Sequence, residues 1–231
     1  MAILISGTSR GIGLSIAKKF LLDGSTVYGL SRKPGDLYEH PNFIYVPCDF
    51  ANFSDACEKI REIETNEFTG VIHCAGLNII KPIDTYHVDE LTEMININVL
   101  GAVAMVQGAR DRLINNKSKV IFISSVWSKK SKKYRAIYSM TKSGLNGLAR
   151  GLAIEFAEKK ISVNVLSPGF VDTQLTRNSL TKIQLNEILK SVPTKDLIQT
   201  TEIADSVKLL YSMPYSFTGQ NVFVDGGVSV A

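Results

Sequence analysis

Ala2-Ile3-Leu4-Ile5-Ser6-Gly7-Thr8-Ser9-Arg10-Gly11-Ile12-Gly13 is the stretch that decides the fold. Ile3–Ser6 is short, apolar and β-branched, as a strand buried on both faces is. Three glycines follow at once in the spacing Gly7-x-x-x-Gly11-x-Gly13, and an amphipathic pattern then runs from Gly13 to Leu22. A strand, a glycine turn and a helix in that order aim free backbone N–H groups at one spot. The helix N-terminus adds a partial positive charge there, so the turn suits a pyrophosphate. The spacing is not Gly-x-Gly-x-x-Gly, so the position between strand and helix carries the reading. Gly7, Ser9, Arg10, Gly11, Ile12 and Gly13 are the candidate contacts for a dinucleotide, and a turn that binds nothing is the alternative.

Outward from this turn, short apolar runs alternate with longer helical patterns. Strands are expected at Ile3–Ser6, Thr26–Leu30, Phe43–Pro47, Val71–Cys74, Lys119–Ser124, Ser162–Leu166 and Gln220–Val224. Helices are expected near Gly13–Leu22, Ser54–Glu64, Leu91–Leu113, Tyr138–Lys159 and Thr201–Ser212. Such alternation builds a parallel sheet covered on both faces. The expected fold is therefore α/β: one doubly wound parallel sheet of Rossmann type, about seven strands, in a single domain over residues 1–231. Phe170–Thr200 has no clear strand partner and reads as a substrate lid or as an ordinary pair of surface helices.

The composition, 45% hydrophobic and 21% charged, fits a water-soluble chain with a large core, and the net charge of +4 does not demand an acidic partner. No apolar run reaches the ~18 residues of a membrane span, and the start shows no basic leader, so a cytoplasmic protein is expected. Cys48, Cys57 and Cys74 and His40, His73 and His87 are scattered without ligand spacing, which predicts neither disulfide framework nor metal site.

Chemistry enters at Tyr138-x-x-x-Lys142, with Ser125 upstream. A phenol near its ordinary pKa of about 10 is a poor acid or base at neutrality. Helical spacing puts Lys142 on the Tyr138 face, and a close ammonium favours the phenolate. Bringing the phenol to about 7 takes roughly 4 kcal/mol at about 1.36 kcal/mol per unit, which one partly desolvated cation can supply. Dinucleotide choice is read at the end of the second strand, where a carboxylate would bind a ribose 2′-hydroxyl. This chain has Ser31-Arg32-Lys33 there, and Arg10 can converge on the same place, so a 2′-phosphate and NADP(H) are expected.

With these residues in hand, the chain resembles the short-chain dehydrogenase/reductase family, and the resemblance runs from Ala2 to Val230. Its elements appear in order: the glycine turn, Asp49, Ala75-Gly76, Asn98-x-x-Gly101, Ser125, Tyr138-x-x-x-Lys142, and Ser167-Pro168-Gly169 with Thr173. The resemblance implies a catalytic set of Asn98, Ser125, Tyr138 and Lys142. Tyr138 would protonate the carbonyl oxygen, Ser125 would hold it, and Lys142 would tune Tyr138 and bind the nicotinamide ribose. Asn98 would keep a water in the proton relay. It implies Asp49 at the adenine, and Ala75, Gly76, Pro168, Gly169, Val171 and Thr173 beside the remainder of the cofactor. Where the family usually has Asn-Asn-Ala-Gly, this chain has His73-Cys74-Ala75-Gly76. The amides that tie the central strands are lost, so altered strand-edge packing and a shifted cofactor pocket are expected, with Cys74 buried and its pKa raised.

Phe170–Arg177, Val192-Pro193 and Val224-Asp225-Gly226-Gly227 resemble the family's 3-oxoacyl-[acyl-carrier-protein] reductase branch. The loop Ser128–Arg135 holds five cationic residues between Ser125 and Tyr138, and Lys159 and Lys160 are expected to extend the patch. Such a patch suits an acidic carrier protein or a phosphorylated substrate; a solvated loop is the alternative. The substrate implied is a carbonyl, either small or bound to acyl carrier protein, with another ketone or alcohol, or a non-catalytic sensor, as alternatives. Nucleic acid is not expected, since Trp127 and Tyr134 are the only nearby aromatics and no nucleic-acid module surrounds the lysines. A homotetramer paired through the long helices is implied by the resemblance.

Overall fold

The computed structural model describes residues 1–115, 117–178 and 182–231. Seven strands form one sheet: β1 (Ala2–Ser6), β2 (Thr26–Ser31), β3 (Phe43–Pro47), β4 (Gly70–His73), β5 (Lys119–Ile123), β6 (Ser162–Pro168) and β7 (Asn221–Val224). Their order is β3-β2-β1-β4-β5-β6-β7, and every pairing is parallel. The helices are α1 (Gly11–Leu22), α2 (Phe53–Arg61), α3 (Val88–Ile95), α4 (Gly101–Ala109), α5 (Ala136–Glu155), α6 (Gln174–Asn178), α7 (Lys182–Ser191) and α8 (Thr200–Ser212).

Alternation along each strand divides the core in two. Ile3 and Ile5 of β1 pack under α1 and α8 with Phe20 and Val207, whereas Leu4 faces the other way toward Ala56 and Ile60 of α2 and Met105 of α4. A strand buried on both faces must be apolar throughout, and Lys119–Ile123 is buried at all five positions, with the Lys119 ammonium reaching the Met213 carbonyl at 2.8 Å. Each fully buried Ile or Leu contributes about 1.5–3 kcal/mol. The strand order reverses between β1 and β4, so the carboxyl ends of those strands open a crevice at the point where such sheets bind ligands.

Two helical expectations need correction. The segment expected as one helix over Leu91–Leu113 is α3 and α4 joined by a π-turn at Asn96–Leu100, with a short 3₁₀ turn at Arg110–Arg112. The π-turn holds the wholly buried Asn98, whose amide bonds sideways rather than to solvent, so regular helical periodicity is broken where that side chain is needed. Helix α5 ends at Glu155, before Lys159. The segment expected as a lid or a pair of surface helices carries α6 and α7, its base pinned where Val171 pairs with Ile198, and positions 179–181 of that segment lie outside the described residues.

Candidate active site

The glycine turn leaves β1 through Gly7, which has φ +75° and whose N–H donates to Leu30 at 2.8 Å. A Cβ on Gly13 would stand 2.2 Å from the Gly7 carbonyl oxygen, and one on Gly7 2.9 Å from the Ala75 amide. No side chain larger than hydrogen fits there without moving backbone. Arg10 caps α1 without a side-chain hydrogen bond and no acidic residue stands in the first turn, so the leading N–H groups keep their capacity for an anion. This cradle fits a dinucleotide pyrophosphate. A Cβ on Gly35 would touch Ser9 at 2.8 Å, so the loop carrying Arg32 and Lys33 lies against the turn carrying Ser9 and Arg10. Both arginines are exposed. The Ser31 hydroxyl donates to the Lys33 carbonyl at 2.6 Å, and an Asp49 oxygen accepts from Ala51 at 3.0 Å, so each also shapes its own loop.

Ser125, Tyr138, Pro168, Gly169, Val171, Thr173 and Ile12 line one cleft of about 140 Å³ at the carboxyl end of the sheet. Ser125 ends the segment after β5, and Tyr138 stands in the first turn of α5. Although Tyr138 keeps partial exposure, burial dominates its titration and pushes it up to about 12; the Ser125 hydroxyl and Arg135 pull the other way. The expected lowering by Lys142 is therefore corrected. The Lys142 ammonium lies 5.7 Å from the Tyr138 ring centroid and donates to the Ile123 carbonyl at 2.9 Å, while its own pKa is brought down to about 8 by burial. It faces the ring and a strand end, and the cation acting on the phenol is Arg135.

Asn98 Oδ1 accepts from the Leu77 N–H at 2.7 Å, and its Nδ2 donates to the Leu77 carbonyl at 2.8 Å and to Thr141 at 3.0 Å. The side chain thus braces the loop after β4 against α5, with both ends engaged. A Cβ on Gly76 would stand 3.5 Å from both Asn98 Oδ1 and Lys142 Nζ, so Gly76 lies beside these two groups.

The expected loss of ties between central strands is also corrected. His73 is wholly buried, with Nε2 3.1 Å from the Ile97 carbonyl and Nδ1 3.0 Å from Ser6 Oγ. A carbonyl only accepts, so Nε2 carries the proton and Nδ1 accepts from the Ser6 hydroxyl. That hydroxyl oxygen in turn accepts from the Cys74 and Ala75 amides at 2.9 and 3.0 Å. Burial and the nearby Lys142 charge push His73 down to about 3, so it stays neutral at ordinary pH. Cys74 is pushed up to about 12 by burial and remains a thiol.

The basic loop does not form a single patch. Lys129 stands over the Phe223 ring and Lys130 donates to the Ala231 carbonyl. Lys132 and Lys133 line a second cavity of about 350 Å³ with Lys81, Tyr86 and Tyr134. Lys159 and Lys160 do not extend it, because the 20-residue α5 places about 30 Å between its ends. Sequence reading missed Asn78, Trp127, Phe170 and Thr176 as cleft residues. Trp127 stacks edge-on against Phe170, at 5.8 Å, and Asn78 keeps a buried oxygen with no partner among the described residues. The sequence signal available was weak: Trp127 follows Ser125 by two positions, and Arg135 precedes Tyr138 by one helical turn.

The family model described as Enoyl-(Acyl carrier protein) reductase matches residues 7–229. The 3-oxoacyl-[acyl-carrier-protein] reductase FabG of Buchnera aphidicola is 32% identical, over 97% of this chain and 95% of its own. The 3-oxoacyl-[acyl-carrier-protein] reductase of Mus musculus is 29% identical, over 98% and 97%. Among solved structures, a short chain dehydrogenase family protein from Francisella tularensis superposes with a TM-score of 0.93, covering 100% of this chain and 99% of its own at 23% identity, a likeness of fold. With the glycine turn, the Ser125–Tyr138–Lys142 arrangement and a family match across nearly the whole length, the chain belongs to the short-chain dehydrogenase/reductase family of nicotinamide-dinucleotide oxidoreductases.

Proposed function

We propose that this protein is an NADPH-dependent carbonyl reductase whose substrate is a 3-oxoacyl thioester on acyl carrier protein. The carrying observation is that Ser125 and Tyr138 meet in one cleft beside the glycine turn. The two relatives reported above carry that activity in their names, which supports the substrate class. A reduced nicotinamide, when bound, supplies a hydride to the carbonyl carbon. Ser125 holds the carbonyl oxygen by a hydrogen bond. Tyr138, at about 12, keeps its proton at neutral pH and donates it to the oxygen as negative charge develops there. Lys142, at about 8, titrates close enough to neutrality to return a proton toward the phenol, with Asn98 holding the surrounding loop in place. Arg10 and Arg32 favour a 2′-phosphate. The described part of residues 170–200, which carries α6 and α7, is the proposed substrate lid.

The oligomer proposed is a homotetramer. The outward face of α5 presents Met140 and Ile154, 51% and 78% exposed, with Gly151 between them and nothing within 4 Å of its Cβ position. Mass measurement in solution tests it, and a monomer at working concentration removes it.

The functional test is NADPH consumption with an acetoacetyl thioester of acyl carrier protein, compared with unattached ketones and with NADH. Tyr138→Phe is expected to lower turnover roughly 10²–10⁴-fold while NADPH still binds. Undiminished turnover removes Tyr138 as the acid. Activity only on other ketones reassigns the substrate, and tight NADPH binding without turnover favours a sensor.

A further inference from the structure

Arg135 stands at the N-cap of α5, one turn before Tyr138, and lines the same cleft as Ser125 and Tyr138. It is half-buried, with its guanidinium carbon 5.5 Å from the Trp127 ring centroid. Two other arginines of the chain show what a guanidinium finds where partners stand nearby. Arg177 forks onto Asp172 with two contacts of 2.6 Å, and Arg112 donates to the carbonyls of Ile60, Ile63 and Gly108. Among the described residues, Arg135 has neither an ion pair nor a side-chain hydrogen bond.

A guanidinium carries five donors and keeps its charge at any working pH. Leaving it half-buried and unpaired is unfavourable, and burial already pulls its pKa down. Its flat fork matches an oxyanion, and the Trp127 ring stands beside it. Its chain neighbours Tyr134 and Ala136 line the second cavity with Lys132 and Lys133. Among the described residues, its donors remain free for a ligand bound in the cleft.

We propose that Arg135 is an anion subsite of the reaction centre, binding an oxyanion on the same molecule whose carbonyl faces Tyr138. This rests on the carbonyl-reductase reading. The oxyanion has two sources: the carboxylate of a free 3-oxo acid, or the phosphate of a phosphopantetheine arm. In either case the subsite selects charged over neutral ketones.

Trp127 is the only tryptophan of the chain, so its fluorescence reports occupancy of the cleft without turnover. Two matched pairs form the test: acetoacetate against ethyl acetoacetate, and acetoacetyl-phosphopantetheine against acetoacetyl-pantetheine. The charged member of at least one pair is expected to bind about tenfold or more tightly than its neutral twin, and which pair it is names the source. Arg135→Gln should erase that preference, Arg135→Lys should keep part of it, and added salt should narrow it. Equal binding within both pairs overturns the subsite, as does a preference that survives Arg135→Gln. If that variant does not fold, the wild-type pairs and Arg135→Lys decide the matter. Arg135-dependent anion binding with no ketone reduced leaves the subsite standing and removes the reductase reading; reduction without any charge preference does the reverse.

Discussion

The Nε2–H of His73 donates to the carbonyl of Ile97 at 3.1 Å, joining the central strand β4 to the π-turn that carries Asn98. A second proton would leave this bond intact but would sit on Nδ1 and remove the acceptor of the Ser6 hydroxyl, so both bonds together need the neutral ring. Its folded pKa, about 3, lies below the ordinary 6.5, so between those values the unfolded chain binds the extra proton. Stability therefore falls as pH drops through that window, by about 1.4 kcal/mol per unit at most for this one group. Urea unfolding at about pH 6.5 and about pH 5 should show this slope in the wild type, and His73→Asn should flatten it. An unchanged slope in the variant would show that other groups set the acid lability.

Lys142 gives a prediction at the other end of the scale. Its folded pKa of about 8 is depressed from 10.5, and the proposed relay needs its ammonium form. Reduction should hold below about pH 8 and fall nearly tenfold per unit above it. Between 8 and 10.5 the unfolded chain binds more protons, so stability from this group rises there and unfolding does not account for the lost rate. A rate flat through about pH 9.5 would sink the relay role.

Gly13→Ala tests the cradle. The added methyl meets the Gly7 carbonyl at 2.2 Å, and a backbone atom cannot swing aside. The expected result is about 1–3 kcal/mol of lost stability and a dinucleotide affinity weaker by roughly tenfold or more. Wild-type affinity in a folded variant would place the dinucleotide elsewhere.

For Arg10 and Arg32, both exposed on adjoining loops, the readout is a ratio. Replacing both with Gln should reduce the preference for NADPH over NADH by at least about tenfold, with NADH affinity shifting far less, since a hydrogen bond to a charged group is worth about 1.5–3 kcal/mol. An unaltered ratio would remove them as readers of the 2′-phosphate.

Strands were the most legible part of the chain, because burial on both faces leaves a compact apolar signature such as Val120–Ile123 that little else imitates. The break at Asn96–Leu100 was not legible. Asn98 bonds to Leu77 and Thr141, at 21 and 43 residues' separation, and no local pattern announces such partners. Residue types and spacing located Ser125 and Tyr138, but the direction of the Tyr138 shift depends on how much protein surrounds the phenol, a property of packing. Arg135 was visible as a charge in a basic loop. That it turns inward while Lys129 and Lys130 turn toward Phe223 and Ala231 is decided by the loop's path.

The Ser6–His73 pair also bears on how this chain can change over time. Ser6 Oγ serves two amides and needs an acceptor for its own proton, while His73 needs a donor at Nδ1. Replacing either residue alone with one lacking the matching group strands a buried polar atom at a cost of about 1–3 kcal/mol. An Asn at position 73 would keep both an acceptor and a donor, but on a shorter side chain that must reach the Ser6 hydroxyl and the Ile97 carbonyl together. Any residue at position 73 is thus answerable to two partners at once, a hydroxyl on one strand and a carbonyl in the turn that carries Asn98.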